Sequence, residues 1–308
     1  MRRLLTALVL FVSCATAAAA QGRLGVDFTP SLVPITTGVY VYEGPLPLQG
    51  ETEVVRTNSL VVLTEAGIVV VDGQDTPEEG RKLIAAIRTV SQAPIRYLIN
   101  ASPHPDHVNS NEVFAAEGAI IVAHENARAA IEAVRARTPD APVRPTLPQI
   151  TYRDVMRLDV GGTAIELHYF GLGHTRGDTV VYLPAAKVAF LSELYFNGMF
   201  PSLAEGYATE HLATIDRALA LDADWWLPGH GYVKGQSQAQ LAAGVRRYRA
   251  SVQAVRDAVA RRVAAGESLE QVLAGIDGDL GEFARLPFYG YLKTGCVSGT
   301  YRALAGVK

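Results

Sequence analysis

Four of the seven histidines sit in short Gly- or Pro-rich segments, and these residues have the clearest capacity for chemistry. His104 and His107 lie in Asn100-Ala-Ser-Pro-His-Pro-Asp-His107, His174 in Gly171-Leu-Gly-His-Thr-Arg-Gly-Asp178, and His230 in Pro228-Gly-His-Gly231. Each segment follows a short apolar run that reads as a strand. Imidazoles presented by three separate loops at strand ends suit a metal site assembled from distant sequence, and Asp106 lies among them as a carboxylate. Zinc accepts both donor types readily. A lone histidine more often hydrogen-bonds within its own loop, and that reading is kept for His124, His168 and His211, which lack such surroundings. His168 alternates along a strand and reads as a core or face position.

The elements expected to carry these loops alternate between strand and helix. Residues 39–42 and 59–72 are rich in β-branched side chains, and Thr64-Glu-Ala-Gly67 turns a hairpin between Leu60-Val-Val-Leu and Ile68-Val-Val-Val. Pro77 opens a helix in which Leu83, Ile84, Ile87 and Val90 recur at helical spacing. A strand over 95–99, a helix near 108–117, a strand over 119–123 and a helix over 125–137 follow. Pro139, Pro142, Pro145 and Pro148 mark a connector. The pattern then restarts with strands near 155–158, 164–170, 179–183 and 188–191, Gly161-Gly162 turning one hairpin. A helix over 209–221 and a short strand over 225–227 lead to a mainly helical end, a long helix reaching about residue 265 and a shorter one about 273. No element is assigned after Gly275. The halves share a strand-then-helix plan without a residue-level repeat.

With 308 residues, 49% of them hydrophobic and 19% charged, the chain can bury a sizeable core and is neither disordered nor of low complexity. Arg2 and Arg3, an apolar run over 4–12 and a tract ending Ala18-Ala19-Ala20 stand in the order of a secretory signal peptide. Removal of residues 1–20 and a periplasmic or secreted protein are therefore expected. The apolar run is shorter than the about 20 residues a spanning helix needs, so no stable membrane span is expected. Phe11-Val12-Ser13-Cys14 only loosely resembles a lipoprotein cleavage site, and anchoring at Cys14 is not expected. Loss of Arg2 and Arg3 makes the mature chain more acidic than the net −3 of the whole sequence, which argues against a nucleic-acid partner. Arg246, Arg247, Arg249, Arg256, Arg261 and Arg262 cluster, but on the solvated face of an amphipathic helix. Only Cys296 remains after cleavage, which rules out an internal disulfide and a four-cysteine zinc site. Residues 21–308 read as a single domain with a helical extension from about 236.

Ser102-Pro-His-Pro-Asp-His107, Gly-His174-Thr-x-Gly-Asp, a carboxylate after the strand over 188–191 and Gly-His230-Gly, in this order, resemble the metallo-β-lactamase superfamily of metallohydrolases. The resemblance covers about residues 35–235. It implies an α/β (α+β) fold, a four-layer αββα sandwich with metals in a shallow groove at one sheet edge. The family loop reads His-x-His-x-Asp-His, and its first histidine stands here as Ser102. In the family that histidine, with those matching His104 and His174, holds the first metal, and the residues matching Asp106, His107 and His230 hold the second. Glu193, in Leu191-Ser-Glu-Leu194, matches the bridging aspartate of many members. Asp72, in Val-Val-Asp-Gly73, resembles the family's buried aspartate that supports the metal loops, and reads equally as a turn aspartate before glycine.

A serine hydroxyl is a weak zinc ligand beside imidazole, and three readings stay open. One zinc binds Asp106, His107 and His230 and keeps an open position; one-zinc metallo-β-lactamases also lack the first histidine, with asparagine there. Alternatively Glu193, longer than aspartate by a methylene, helps hold a second metal with His104 and His174. In the third reading the site has decayed, leaving a non-catalytic ligand-binding protein on the same fold. The active readings imply a zinc-dependent hydrolase with one or two ions per chain, one favoured, that turns metal-activated water on a lactam, lactone, ester or thioester. Asp106 would orient the water or take its proton, and His104 and His174 would act as general bases or hydrogen-bond the substrate. Residues 43–56 and 195–207 are expected to wall an apolar groove for a small-molecule substrate.

Overall fold

Runs of β-branched residues dictate the first sheet. Ser31–Thr36 (β1), Val39–Pro47 (β2), Val54–Thr64 (β3) and Gly67–Val71 (β4) form an antiparallel meander. The computed structural model describes residues 29–48 and 54–307, so the expected signal peptide, Cys14 and the tip of the β2–β3 hairpin lie outside the described residues. Pro77–Arg88 (α1) starts as expected, with Pro77 in its first turn and the Thr76 hydroxyl accepting the Glu79 N–H. Its crossover allows Ile95–Asn100 (β5) to pair in parallel with β4.

The single helix expected near 108–117 is instead two, Pro105–Val108 (α2) and Asn111–Ala116 (α3). The break falls where the chain supports the end of β4: the Ser110 hydroxyl accepts the Gln74 N–H at 2.7 Å, and His107 C=O accepts the Gly73 N–H at 2.7 Å. Ile120–His124 (β6), Glu125–Arg137 (α4) and Ile150–Tyr152 (β7) then complete this side, both strands adding in parallel.

The second sheet is Val155–Val160 (β8), Thr163–His168 (β9), Val180–Leu183 (β10) and Val188–Phe190 (β11), successively antiparallel. Beyond it come Phe196–Asn197 (β12), Ala208–Ala218 (α5), Trp225–Leu227 (β13) and His230–Gly231 (β14). β13 pairs in parallel with β11. β14 returns to the first sheet, where His230 pairs with Thr57 of β3 and β12 lines up beside it. That return brings His230 to the end of the sandwich where the other histidine loops emerge.

Three apolar layers make the four-layer αββα sandwich. Val41, Leu60, Val69 and Ile99 of the first sheet meet Ile165, Val181 and Phe190 of the second. The opposite face of the first sheet, with Val61, Val70 and Leu98, packs on Leu83 and Ile87 of α1 and Phe114 of α3. The opposite face of the second sheet, with Val180 and Ala189, packs on Ile215 of α5 and on Val245 and Val252 of Gln238–Ala264 (α6). Each of these side chains is buried, the larger ones at about 1.5–3 kcal/mol apiece and Ala189 at less. The α6 arginines pair outward, Arg249 with Asp216, Arg247 with Glu282 and Arg262 with Asp279.

The helical end runs further than its sequence pattern shows. Leu269–Leu280 (α7) continues past residue 273 because Val272, Ile276 and Leu280 keep one buried stripe at i, i+4 spacing. Tyr289–Ala305 (α8) then follows in the stretch after Gly275, where the sequence pattern marks no element. Among the described residues no helix is long and apolar enough to cross a membrane.

Candidate metal centre

Four loops converge at one end of the sandwich, each leaving the end of a strand. Asp106 and His107 occupy α2, the single turn that Pro105 opens after β5. His174 stands in the connection from β9 to β10, Glu193 in a 3-10 turn over Ser192–Leu194 just after β11, and His230 begins β14. The glycines around His230 are required by close approach. A Cβ at Gly229 would lie 2.5 Å from the Ser192 carbonyl oxygen, and one at Gly231, whose φ is +92°, would lie 2.0 Å from the Asn197 carbonyl oxygen.

Asp72 ties three of these segments together. Its Oδ1 accepts the Ala101 N–H at 2.7 Å, its Oδ2 accepts the Ser192 hydroxyl at 2.5 Å, and His107 Nδ1 lies 3.0 Å from Oδ2. Asp72 and Ser192 both hold left-handed backbone, φ +57° and +47°, a strained arrangement that their mutual hydrogen bond offsets. Asp72 thus stands where an aspartate supporting the metal loops must stand, and it is wholly buried.

Asp106, His107 and His230 face one another at nearly equal distances. His107 Nε2 and His230 Nε2 are 3.3 Å apart, and each lies 3.4 Å from Asp106 Oδ2. Donor atoms separated by ~3.3 Å are what a tetrahedral centre with bonds of about 2.0–2.1 Å requires, so these three residues fit one zinc ion. Neighbouring groups hold these side chains in place. His230 Nδ1 donates to the Arg56 carbonyl at 3.0 Å, and Asp106 Oδ2 accepts the Thr57 hydroxyl at 3.2 Å.

His104, His174 and Glu193 form a second cluster that shares the glutamate. Glu193 Oε1 lies 3.3 Å from His174 Nε2, 3.4 Å from His230 Nε2 and 3.7 Å from His107 Nε2, so it stands between the two clusters. His104 Nδ1 is 2.9 Å from Oε2. The buried Ser102 hydroxyl donates to that same Oε2 and accepts the His104 N–H at 3.2 Å. Ser102 therefore faces a carboxylate, where the family motif places a third imidazole.

The charges here are strongly coupled. Burial pushes Glu193 up, but His104, His174 and His107 together hold it well below the usual carboxylate range. Burial disfavours the His107 cation, yet Asp106, Asp72 and Glu193 outweigh it and raise that imidazole to about 10. His104 is likewise raised against burial, chiefly by Glu193. Burial carries His174 the other way, down to about 4. Converging carboxylates that call for positive charge fit a cation that displaces the imidazole protons.

All six residues read from the sequence as metal ligands, His104, Asp106, His107, His174, Glu193 and His230, are brought together. His124, His168 and His211 are not among them. His124 caps α4 and donates to the Arg153 carbonyl, His168 lies 3.0 Å from Glu166, and His211 is buried behind the Leu194 carbonyl. Contacts with no sequence signature complete the site: the Arg56 carbonyl, the Ser202 carbonyl that accepts His174 Nδ1–H at 2.9 Å, and Glu205, 3.6 Å from His104 Nε2. A cavity of about 160 Å³ opens over the ligands. Leu46, Leu48 and Val55 line one side and Phe196 and Met199 another, as the expected walls over 43–56 and 195–207 require; Tyr291 and Leu292 of α8 form a third wall.

The metallo-beta-lactamase superfamily sequence model matches residues 52–230. The 2,4-dinitroanisole O-demethylase subunit alpha of Nocardioides sp. (strain JS1661) is 25% identical over 174 residues, 56% of this chain and 52% of that protein. The chain thus spans about half the length of that relative. A metallo-beta-lactamase type 2 of Bacillus sp. (strain 170) is 27% identical over 186 residues, 59% of this chain and 69% of that protein. Among solved structures, a metallo-beta-lactamase from Pontibacter korlensis superposes with a TM-score of 0.62 at 21% identity, covering 73% of this chain and 99% of that one, a likeness of fold. With more than half of its length matched and its ligand loops meeting at the end of an αββα sandwich, the chain belongs to the metallo-beta-lactamase superfamily.

Proposed function

We propose that the protein is an exported zinc hydrolase that turns activated water on a carbonyl compound, a lactam, lactone, ester or thioester, with one ion held tightly by Asp106, His107 and His230. The observation that carries this reading is the near-equal 3.3–3.4 Å spacing of their three donor atoms. The lactamase relatives support the carbonyl class. Zinc bound there supplies a water acidified toward a pKa of about 7 and a Lewis acid for the carbonyl oxygen.

The chain's own residues divide the remaining work. Asp106, fixed by Thr57 and open to the cavity, orients the water and takes its proton. His174 donates Nδ1–H to Ser202, which leaves Nε2 as an acceptor facing the cavity, and its low pKa keeps it neutral. His104, with its side chain 32% exposed, stands at the mouth between Glu193 and Glu205, where its raised pKa makes it a donor toward substrate. The apolar walls keep bulk water from the reacting carbonyl.

A second reading has an observation of its own. Glu193 Oε1 faces His174 and His230 at 3.3 and 3.4 Å, so it can bridge to a second, weaker ion beside His104. Zinc stoichiometry measured beside hydrolysis of a panel of lactams, lactones and esters tests both. About one tightly held zinc with turnover is expected. Two tightly held ions favour the bridged site, and zinc without turnover on any panel member favours a binding protein. Export is checked by mass spectrometry of protein from the native envelope, with a mature terminus near Gln21 expected and an intact Met1 terminus in the cytoplasm counting against it.

A further inference from the structure

The superfamily match ends at residue 230, yet Tyr291 and Leu292, in the first turn of α8, line the cavity over the metal ligands. We propose that this turn is the specificity wall of the pocket, admitting a small, uncharged, apolar group beside the scissile bond and rejecting a carboxylate there. The inference rests on the hydrolase reading and narrows it to a substrate class.

The wall is fixed in place. Phe200 N–H donates to the Pro287 carbonyl at 3.0 Å, and the Phe200 ring meets Tyr289 edge-on with centroids 4.8 Å apart. Further along α8, a Cβ at Gly299 would lie 2.3 Å from the Leu203 carbonyl oxygen, so helix and loop meet backbone to backbone. The loop so clamped supplies Met199 to the cavity and the Ser202 carbonyl that aims His174. The position of α8 is thereby tied to that of the reacting groups.

The chemistry of the wall sets what it accepts. Leu46 and Leu48 stand on the β2 side of the same cavity and Phe196 and Met199 on the β12 side, with Tyr291 and Leu292 closing it. At about 160 Å³ it is smaller than the roughly 300–1,000 Å³ of pockets for drug-sized ligands, so it suits a group no larger than a single ring. Among the described residues no lysine or arginine lines it, and Lys293, next along α8, is paired with Asp277. A carboxylate set against Tyr291 and Leu292 would lose water to apolar side chains, and His104, which also lines the cavity, already faces the carboxylates of Glu193 and Glu205.

The test uses zinc-loaded full-length protein and two thiols that differ by one carboxylate, benzyl mercaptan and 4-(mercaptomethyl)benzoate, with binding measured by calorimetry. The neutral thiol is expected to bind at least about tenfold tighter, and Leu292→Arg to erase or reverse that preference. Tyr291→Ala is expected to raise kcat/KM for phenyl butyrate over phenyl acetate by about tenfold, whereas Tyr291→Phe keeps the wild-type ratio. Equal or tighter binding of the carboxylate by wild type, or no binding of either thiol, overturns the proposal without recourse to a variant. So does a folded pair of Leu292→Arg and Tyr291→Ala proteins with both ratios unchanged. A thiol preference without hydrolysis of any ester defeats the hydrolase reading and leaves the wall; hydrolysis without a thiol preference does the reverse.

Discussion

The two halves of the metal centre share Glu193 but are built differently. In the half formed by Asp106, His107 and His230, every ligand is braced by a separate group: Thr57 and the Arg56 carbonyl from β3, and Asp72 from the end of β4. In the half formed by His104 and His174, only His174 has such a brace, the Ser202 carbonyl. His104 touches the carboxylates of Glu193 and Glu205, and the position of a third imidazole holds Ser102, turned to Glu193. Three strong donors already at bonding separation bind an ion with little reorganisation, whereas two imidazoles and a hydroxyl must recruit a carboxylate that the serine is holding. One tight and one weak site is what the proposed zinc hydrolase should therefore show.

The largest effect that can break this comparison is loss of a ligand from the braced half. His230→Ala, or the same change at His107 or Asp106, is expected to take bound zinc from about one per chain to near none after dialysis, with activity lost alongside. His174→Ala is expected to keep about one zinc and lose turnover. Metal analysis of the variants side by side checks this, and full zinc occupancy with activity in His230→Ala reverses the assignment.

The next effect comes from restoring the family pair. Ser102 is wholly buried against Glu193, so Ser102→His alone overfills the site and is expected to cost about 1–3 kcal/mol of stability. Combined with Glu193→Asp, which withdraws the carboxylate by one methylene, the imidazole gains room, and zinc content is expected to rise from about one to about two per chain. A wild type that already holds two ions tightly sinks the inequality of the halves in favour of bridging by Glu193.

Smaller again is the effect of the brace itself. Asp72→Asn keeps the shape but replaces one acceptor oxygen by a donor, so the Ala101 N–H, the Ser192 hydroxyl and His107 can no longer all be satisfied. Zinc affinity is expected to fall by about 10–100-fold, measured by competition with a chelator, while stoichiometry at saturating zinc stays unchanged.

The braced half was legible in the sequence through its ligands and opaque in its braces. Asp106, His107 and His230 stand in loops whose Pro and Gly content marks strand ends, but the Arg56 and Ser202 carbonyls belong to the backbone and leave no residue-type signature. The exchange of histidine for Ser102 was visible; that its hydroxyl would face Glu193 depends on two loops 91 residues apart. The alternation of strands and helices followed from β-branched runs and helical spacing, whereas the αββα layering came from the family resemblance. α8 escaped because its buried residues, Cys296, Val297, Ser298, Gly299 and Thr300, are consecutive and mostly small, with Gly299 meeting the 203–206 loop backbone to backbone, so no apolar period announces it. The β1 strand carries Pro34, which an edge position tolerates, and that residue masked it.

The smallest effect lies in the loop that presents His174. Asp178 is wholly buried, and its carboxylate accepts the Thr175 N–H and the Thr175 hydroxyl, each at 2.6 Å. Burial nevertheless pushes its pKa up to about 7, the Thr175 hydrogen bonds offsetting this only in part. A carboxyl whose folded pKa lies above its unfolded value of about 4 binds its proton more tightly when folded, so stability declines with pH in the window between the two. Its contribution is therefore fully present below about pH 4 and lost by about pH 7. Asp178→Asn removes the titration and is expected to flatten the fall in metal-free protein, leaving a difference between wild type and variant that changes by about 1 kcal/mol or more from pH 4 to 7. The amide gives up one of the two acceptors for Thr175, which lowers stability at every pH and leaves the slope as the diagnostic. Urea unfolding of both proteins at several pH values measures it. Parallel stability curves would mean that Asp178 keeps an ordinary pKa and that the His174 loop loses none of its hold through this group between about pH 4 and 7.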